Sequence, residues 1–271
     1  MVFPPTEVNM KRVIRAFFVF LWGSKMERCK REIMCKPKEK GGKGMVDVRK
    51  FLYSKYLLLC VKNCKKENLW SSFIRYAAGF ILAKQKWFDI SLKSPVCFKP
   101  PKFYEILKKI ILLCGIEEVT FEDLIKKDFL KRKFEKNEIL MPIYRLSENK
   151  VKSVWSRVSH KSIFNSQKDL AWSCIHECLT TRFFQHRRGL IARAKCPRHN
   201  CCEDETVMHV MWNCSFAQKF WEKMGSLLKN IGGLNFLNYE AVLYGEMVCP
   251  SEDLFLISWK IINCGKEIME N

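Results

Sequence analysis

Apolar positions recur at three- and four-residue steps along most of the chain, the spacing of a helix face. Within 46–61, Val48, Phe51, Leu52, Tyr56, Leu59 and Cys60 follow it, and Asp47 stands where an N-cap belongs. The pattern predicts a helix over 70–88, with Phe73, Ala77, Phe80 and Ile81 on one face. It predicts another over 104–114, striped by Tyr104, Leu107, Ile110, Ile111 and Cys114. Thr120 followed by Asp123 resembles a capping box with a short acid. Further helical text covers 151–159, a longer stretch at 169–188, and then 216–228 and 254–268. Residues 139–144 and 241–244 are the strand candidates, and Pro142 would confine the first to a sheet edge. Residues 91–101 read as a linker, because the positions before Pro95, Pro100 and Pro101 disfavour helix.

Composition narrows the class. The chain has 271 residues, 48 Lys+Arg against 28 Asp+Glu, and a net charge of +20. Hydrophobic residues make up 48%, enough for a core, and the length suits one to three domains. The charge favours a polyanionic partner, nucleic acid or an acidic membrane face. No uncharged apolar run reaches the ~18 residues of a membrane span. The short apolar block at 16–22 lacks a signal-peptide cleavage pattern, so an intracellular protein, not a secreted one, is expected. The 14 Cys are then mostly small core hydrophobes rather than a disulfide framework.

The basic residues concentrate in two places. Lys25, Arg28, Lys30, Arg31, Lys36, Lys38, Lys40 and Lys43 form the first run, next to Phe17, Phe18, Phe20 and Trp22. It ends in Gly41-Gly42-Lys43-Gly44, expected to be a flexible loop and too short for a P-loop. The second is His186-Arg187-Arg188 with Arg193, Lys195 and Arg198. Basic side chains beside aromatics can track a phosphate backbone and stack bases.

The second run leads into a cluster of metal-ligating residue types. Cys196, Cys201, His209 and Cys214 offer three thiolates and an imidazole, a standard set for structural zinc. Pro197 and Asn200 favour a bend between the first two, and Glu205-Thr206 can start a helix that carries His209. Spacing alone leaves Cys202 as a substitute for Cys201, and His199 for either. Such a closed set leaves no open position for a reacting water. His176, between Cys174 and Cys178, reads as an ordinary helical residue. No two Asp are adjacent, so a polymerase-type metal pair is missing.

These residues resemble a known module. Asp169-Leu170-Ala171-Trp172, His186-Arg187-Arg188-Gly189-Leu190, and Cys196-Pro197…Cys201…Glu205-Thr206…His209…Trp212-Asn213-Cys214 with Phe220-Trp221 are similar to the zinc-binding domain that follows the reverse transcriptase in LINE-type (non-LTR), Tx1-like retrotransposons. The family's spacing of its last three ligands matches Cys201, His209 and Cys214. Phe20-Leu21-Trp22-Gly23-Ser24-Lys25, Gly41-Gly42-Lys43-Gly44-Met45 and Phe73-Ile74-Arg75-Tyr76 resemble the thumb-proximal segment and helical connector. The resemblance implies a mainly α protein: a thumb-like helical region (1–90), a connector (91–150), a zinc module (151–230) and a helical tail (231–271). It implies a structural Zn2+ and binding of RNA or DNA, for which the two basic runs offer Lys25, Arg28, Lys30, Arg31, Lys43, Arg187, Arg188, Arg193, Lys195 and Arg198. The polymerase palm would lie upstream of Met1, as a possible packing partner, so no catalysis, no membrane and no small-molecule substrate are expected. The competing expectation is a remnant or packing module without independent activity.

Overall fold

The structure is a computed structural model. It describes residues 6–82, 101–114, 119–126, 129–130, 138–143, 146–232, 237–249 and 251–270. The linker at 91–100, the far end of the helix expected over 70–88, and Tyr144 lie outside these. Among the described residues the chain is mainly helical and has no strand. No helix among them is long and apolar enough to cross a membrane.

In chain order the helices are α1 (Glu7–Trp22), α2 (Arg31–Cys35), α3 (Val48–Cys64), α4 (Leu69–Leu82), α5 (Lys102–Cys114), α6 (Phe121–Ile125), α7 (Glu148–Val158), α8 (Asn165–Ile175), α9 (Arg182–Arg187), α10 (Ser215–Gly232), α11 (Tyr239–Tyr244) and α12 (Glu252–Glu270). A 3-10 turn spans Lys38–Lys40 and a π-turn spans His209–Asn213. The chain forms two compact units, Met1–Glu27 with Met45–Glu138, and Arg28–Gly44 with Ile139–Asn271. These differ from the four stretches read from the sequence. The basic segment 28–44 and the tail 231–271 both join the unit that carries the ligand cluster.

The first unit is built from α1, α3, α4, α5 and α6. Thr6 caps α1 by accepting from Asn9 N–H, and Asp47 caps α3 by accepting from Arg49 and Lys50 N–H. Leu57, Leu107, Ile110 and Leu124 are fully buried at its centre. The Tyr53 hydroxyl donates to Glu7 at 2.8 Å and ties α1 to α3. At the α6 start, Thr120 accepts from Asp123 N–H, and the Asp123 carboxylate accepts from the Thr120 hydroxyl. The short acid reaches that hydroxyl where a Glu of a capping box reaches back to backbone.

In the second unit the stretch 169–188 is not one helix. α8 stops at Ile175, and Glu177 takes the left-handed conformation at φ 50°. Cys178 N–H reaches Ser173 O at 3.0 Å and Glu177 N–H reaches Cys174 O at 3.1 Å, the paired bonds of a Schellman stop. The turn buries Cys178 and Leu179, and Thr181 then caps α9. A Glu in this conformation costs roughly 1 kcal/mol that glycine avoids. Glu177→Gly is therefore expected to stabilise the unit by about 0.5–1 kcal/mol, read as a higher urea midpoint. A lower midpoint would contradict this account of the turn.

Residues 241–244 belong to helix α11, not to a strand. Asn238 caps it through Ala241 N–H, and Gly245, at φ 67°, ends it. Residues 139–143 pair with no strand, although Met141 N–H bonds Lys40 O at 3.0 Å. The glycine turn expected to be flexible is packed. Gly41 and Gly42 are buried, and the Gly41 carbonyl accepts from Trp172 Nε1 at 3.0 Å. His176 Nε2 lies 2.7 Å from the same carbonyl, with its ring stacked on Trp155. A side chain at Gly41 would meet Trp155 at 2.8 Å. His176 is thus a packing residue, and burial lowers its pKa. α12 packs on α10, α8 and the π-turn. It approaches α10 closely because Gly265 faces Trp221, where a Cβ would come within 2.9 Å.

Candidate metal centre

Two local structures bring the ligands together. The first is a knuckle-like hairpin from Ala194 to Glu205. Lys195 and Asp204 form an antiparallel bridge, flanked by Cys196 N–H to Glu203 O at 2.9 Å and Glu205 N–H to Ala194 O at 2.8 Å. Pro197 and a left-handed Asn200 (φ 61°) turn the chain, and Cys201 N–H closes on Arg198 O. Asn accepts this conformation more readily than most residues. The turn places Cys196 and Cys201 on its inner side and leaves His199 and Cys202 exposed.

The second is the π-turn. Five residues along an α-helix rotate a side chain roughly 140° out of register, so His209 and Cys214 would diverge on ordinary helix. The wider turn, with Cys214 N–H bonded to His209 O at 2.9 Å, brings both to one site. Thr206 starts it, its hydroxyl accepting from His209 N–H at 3.1 Å. Trp221 Nε1 donates to Met211 O at 2.6 Å and anchors the turn to α10.

The four ligand atoms of Cys196, Cys201, His209 and Cys214 lie within 4.8 Å of one another, and Cys201 Sγ is 3.2 Å from His209 Nε2. The set can hold a metal ion. Its chemistry fits a borderline-soft cation, which takes thiolate and imidazole donors. Burial pushes the Cys196 thiol up to about 11. Burial opposes the Cys214 thiolate too. There, however, Phe216 and Ala217 N–H at the start of α10, with the Arg198 guanidinium, outweigh it and hold the pKa below the usual thiol value. Burial lowers the pKa of His209, which favours the neutral imidazole that a metal needs.

No protein-family model matches the chain, and no curated protein or solved structure compared with it is similar to it.

The groups around the ligands have structural tasks. Glu205 and Thr206 hold the local fold. The Glu205 carboxylate accepts from Arg182 N–H at 3.1 Å and fastens α9 to the loop. Arg198 lies over the Phe216 ring at 4.2 Å, donates to Met269 O at 3.2 Å and bonds the Cys214 sulfur. Its place among the expected phosphate contacts gave no hint of this. The signal was its position between two ligand cysteines, where a cation steadies thiolates.

The other expected contacts are spread over the surface. Lys25, Arg28, Lys30, Arg187, Arg188 and Arg193 are exposed, and Arg31 is half-buried. Arg187 and Arg188 lie over Phe183 and Phe184. Lys43 is ion-paired with Asp169 and sits over Trp172 at 4.6 Å, and Lys195 pairs with Asp204 at 3.0 Å. Arg28, Arg31 and Lys43 share the ligand cluster's compact unit, and Lys25 belongs to the other.

Proposed function

We propose that Cys196, Cys201, His209 and Cys214 bind a structural Zn2+, and that the unit around them binds nucleic acid as the C-terminal part of a LINE-type retrotransposon reverse transcriptase. The convergence of the four ligand atoms supports this reading most. Three thiolates and one imidazole fill a tetrahedral zinc site and leave no place for a reacting water. The ion would then fix the 194–214 loop, to which Glu205 fastens α9, and Arg187, Arg188 and Arg193 would reach phosphates from the end of α9 and the stretch before the loop. Lys25, Arg28, Lys30, Arg31, Lys43, Lys195 and Arg198 would add contacts, Lys43 and Lys195 in exchange for their ion pairs with Asp169 and Asp204. In this reading the chain is not itself an enzyme and works inside the cell, in nucleus or cytoplasm.

Binding to mixed-sequence RNA and DNA is expected to weaken steeply with salt, as phosphate contacts do. The Arg187→Ala/Arg188→Ala pair should weaken RNA and DNA alike, roughly 10-fold, and flatten the logarithmic salt slope by about 2. A metal-loaded chain that binds neither polymer would remove the nucleic-acid part of the proposal.

One observation favours a second reading, a packing module for a polymerase palm domain. On α1, Phe20 is 88% and Val13 51% exposed, with Phe17 and Leu21 beside them. Contiguous exposed apolar surface marks an interaction face. A chain that binds no nucleic acid, but becomes monodisperse when Val13→Glu and Phe20→Glu are introduced, would favour this reading.

A further inference from the structure

Outside the ligand cluster, the second unit holds another pair of thiols face to face. Cys178 follows the left-handed Glu177, is 4% exposed, and is fixed by its N–H bond to Ser173 O. Cys29 opens the segment Arg28–Gly44 and is partly exposed. The two side chains hydrogen-bond to each other, and neither is in a disulfide. Neither belongs to the metal cluster.

The surroundings keep the pair together. The Gly41 carbonyl is held by Trp172 and His176, and Lys43 is paired with Asp169, so the segment carrying Cys29 is anchored to α8. Cys178 leaves the same helix.

The two thiols are also unlike. The Cys178 hydrogen bond, then the Lys30 N–H and the charges of Lys30 and Lys43, lower the pKa of Cys29 despite its burial. Cys178 moves the other way, raised first by its bond to Cys29 and then by burial. By contrast, Cys60 and Cys64 are buried thiols pushed up by desolvation to about 11 and about 12. A partly exposed thiol whose pKa is lowered, beside a buried second thiol, is the arrangement of a redox-responsive pair.

We propose that Cys29 and Cys178 form a reversible dithiol–disulfide site, with Cys29 the entry point for a small oxidising disulfide such as glutathione disulfide. The Cys29 thiolate attacks one sulfur of the oxidant, whose S–S bond breaks and releases one glutathione thiolate. That thiolate takes up a proton. Cys178 then loses its proton and attacks the Cys29 sulfur of the mixed disulfide, expelling the second glutathione. Two cysteine thiols are oxidised, one glutathione disulfide is reduced to two thiols, and both protons end on the released thiols. The closed bond would lock the segment 28–44 to the turn that leads into α9, the helix of Arg187. The site rests on neither the zinc nor the nucleic-acid reading.

The test uses the full chain, reduced, loaded with zinc and treated under native conditions with glutathione disulfide. It is then alkylated and mapped by mass spectrometry without reduction. The expected product is one linked Cys29–Cys178 peptide pair, with the zinc retained and a melting temperature about 5–10 °C higher. Cys178→Ser should stop at a glutathione adduct on Cys29, and Cys29→Ser should leave Cys178 unreacted. The wild-type map decides the matter even if a variant fails to fold. The proposal is overturned if both thiols remain alkylatable in the treated, folded chain. It is equally overturned if the mixed disulfide accumulates on wild-type Cys29, or if the linkage forms among the cluster cysteines with loss of metal.

Discussion

Cys214→Ser is expected to weaken zinc binding roughly 100-fold and to leave the 194–214 loop loose, while α10 stays helical. The substitution separates two roles of one residue. Cys214 stands at the start of α10, its carbonyl accepting from Gln218 N–H and its sulfur from Phe216 and Ala217 N–H. Serine is among the best helix caps, so the capping role survives the change. What is lost is one thiolate of four donors. Structural zinc sites are worth about 10–16 kcal/mol, so one donor is worth about 3 kcal/mol, or about two powers of ten in affinity. Competition with a zinc-binding dye measures the affinity, and melting with and without chelator measures the coupling to folding. Cys202→Ser and His199→Ala should leave both unchanged, because the hairpin turns those side chains outward. A Cys214→Ser chain with wild-type zinc affinity and melting would refute the four-ligand site. Because three thiols must lose protons to bind, affinity should also fall as the medium is acidified.

Lys266→Met is expected to stabilise the second unit by about 2 kcal/mol at pH 7. Lys266 is fully buried in α12. Its ammonium lies 4.4 Å from the Trp259 ring centroid and donates to Asn263 Oδ1 at 3.3 Å. Burial nevertheless lowers its pKa from 10.5 to about 8. A depression of that size corresponds to about 3 kcal/mol against the charged form. The lost ring contact and hydrogen bond return about 1 kcal/mol of that, which leaves the net gain. The sign with pH follows from proton counting. Below about 8 both folded and unfolded chains carry the proton, and the full penalty applies. Between about 8 and 10.5 the unfolded chain binds more protons, so wild-type stability rises with pH. The advantage of Lys266→Met should therefore be largest at pH 7 and close as pH passes 10.5. Paired urea titrations across that range read the difference and cancel thiol ionisation common to both chains. A variant less stable than wild type at pH 7 would show that the buried ammonium is well satisfied where it stands.

Local sequence was a good guide wherever one turn of backbone decided the outcome. Asp47 and Thr120 cap the helices they were expected to cap, because a short side-chain oxygen reaches only its own first turn. The apolar stripe of Tyr104, Leu107, Ile110 and Ile111 is buried, because period alone fixes a helix face. It failed where two periods were equally possible or where the partner was distant. The text of 241–244 is too short to tell strand from helix, and Asn238 and Gly245 outside it made the choice. Residues 169–188 keep a helical pattern through a break that exists to bury Cys178 and Leu179.

The ligand set shows the same division. Sequence determined that three thiols and an imidazole fall within nineteen residues, and that a bend near Asn200 was available. It left Cys201, Cys202 and His199 as rivals, since adjacent residues differ little in spacing. Only the hairpin, by pointing successive side chains to opposite sides, turned Cys201 inward and Cys202 outward. Only the π-turn brought His209 and Cys214 into one site. The use of the charges was also a tertiary matter. The sequence set the +20 and its two basic runs. Folding committed Lys43 to Asp169 and Arg198 to Phe216, Met269 and a ligand sulfur, because those partners meet the chain only through long-range packing.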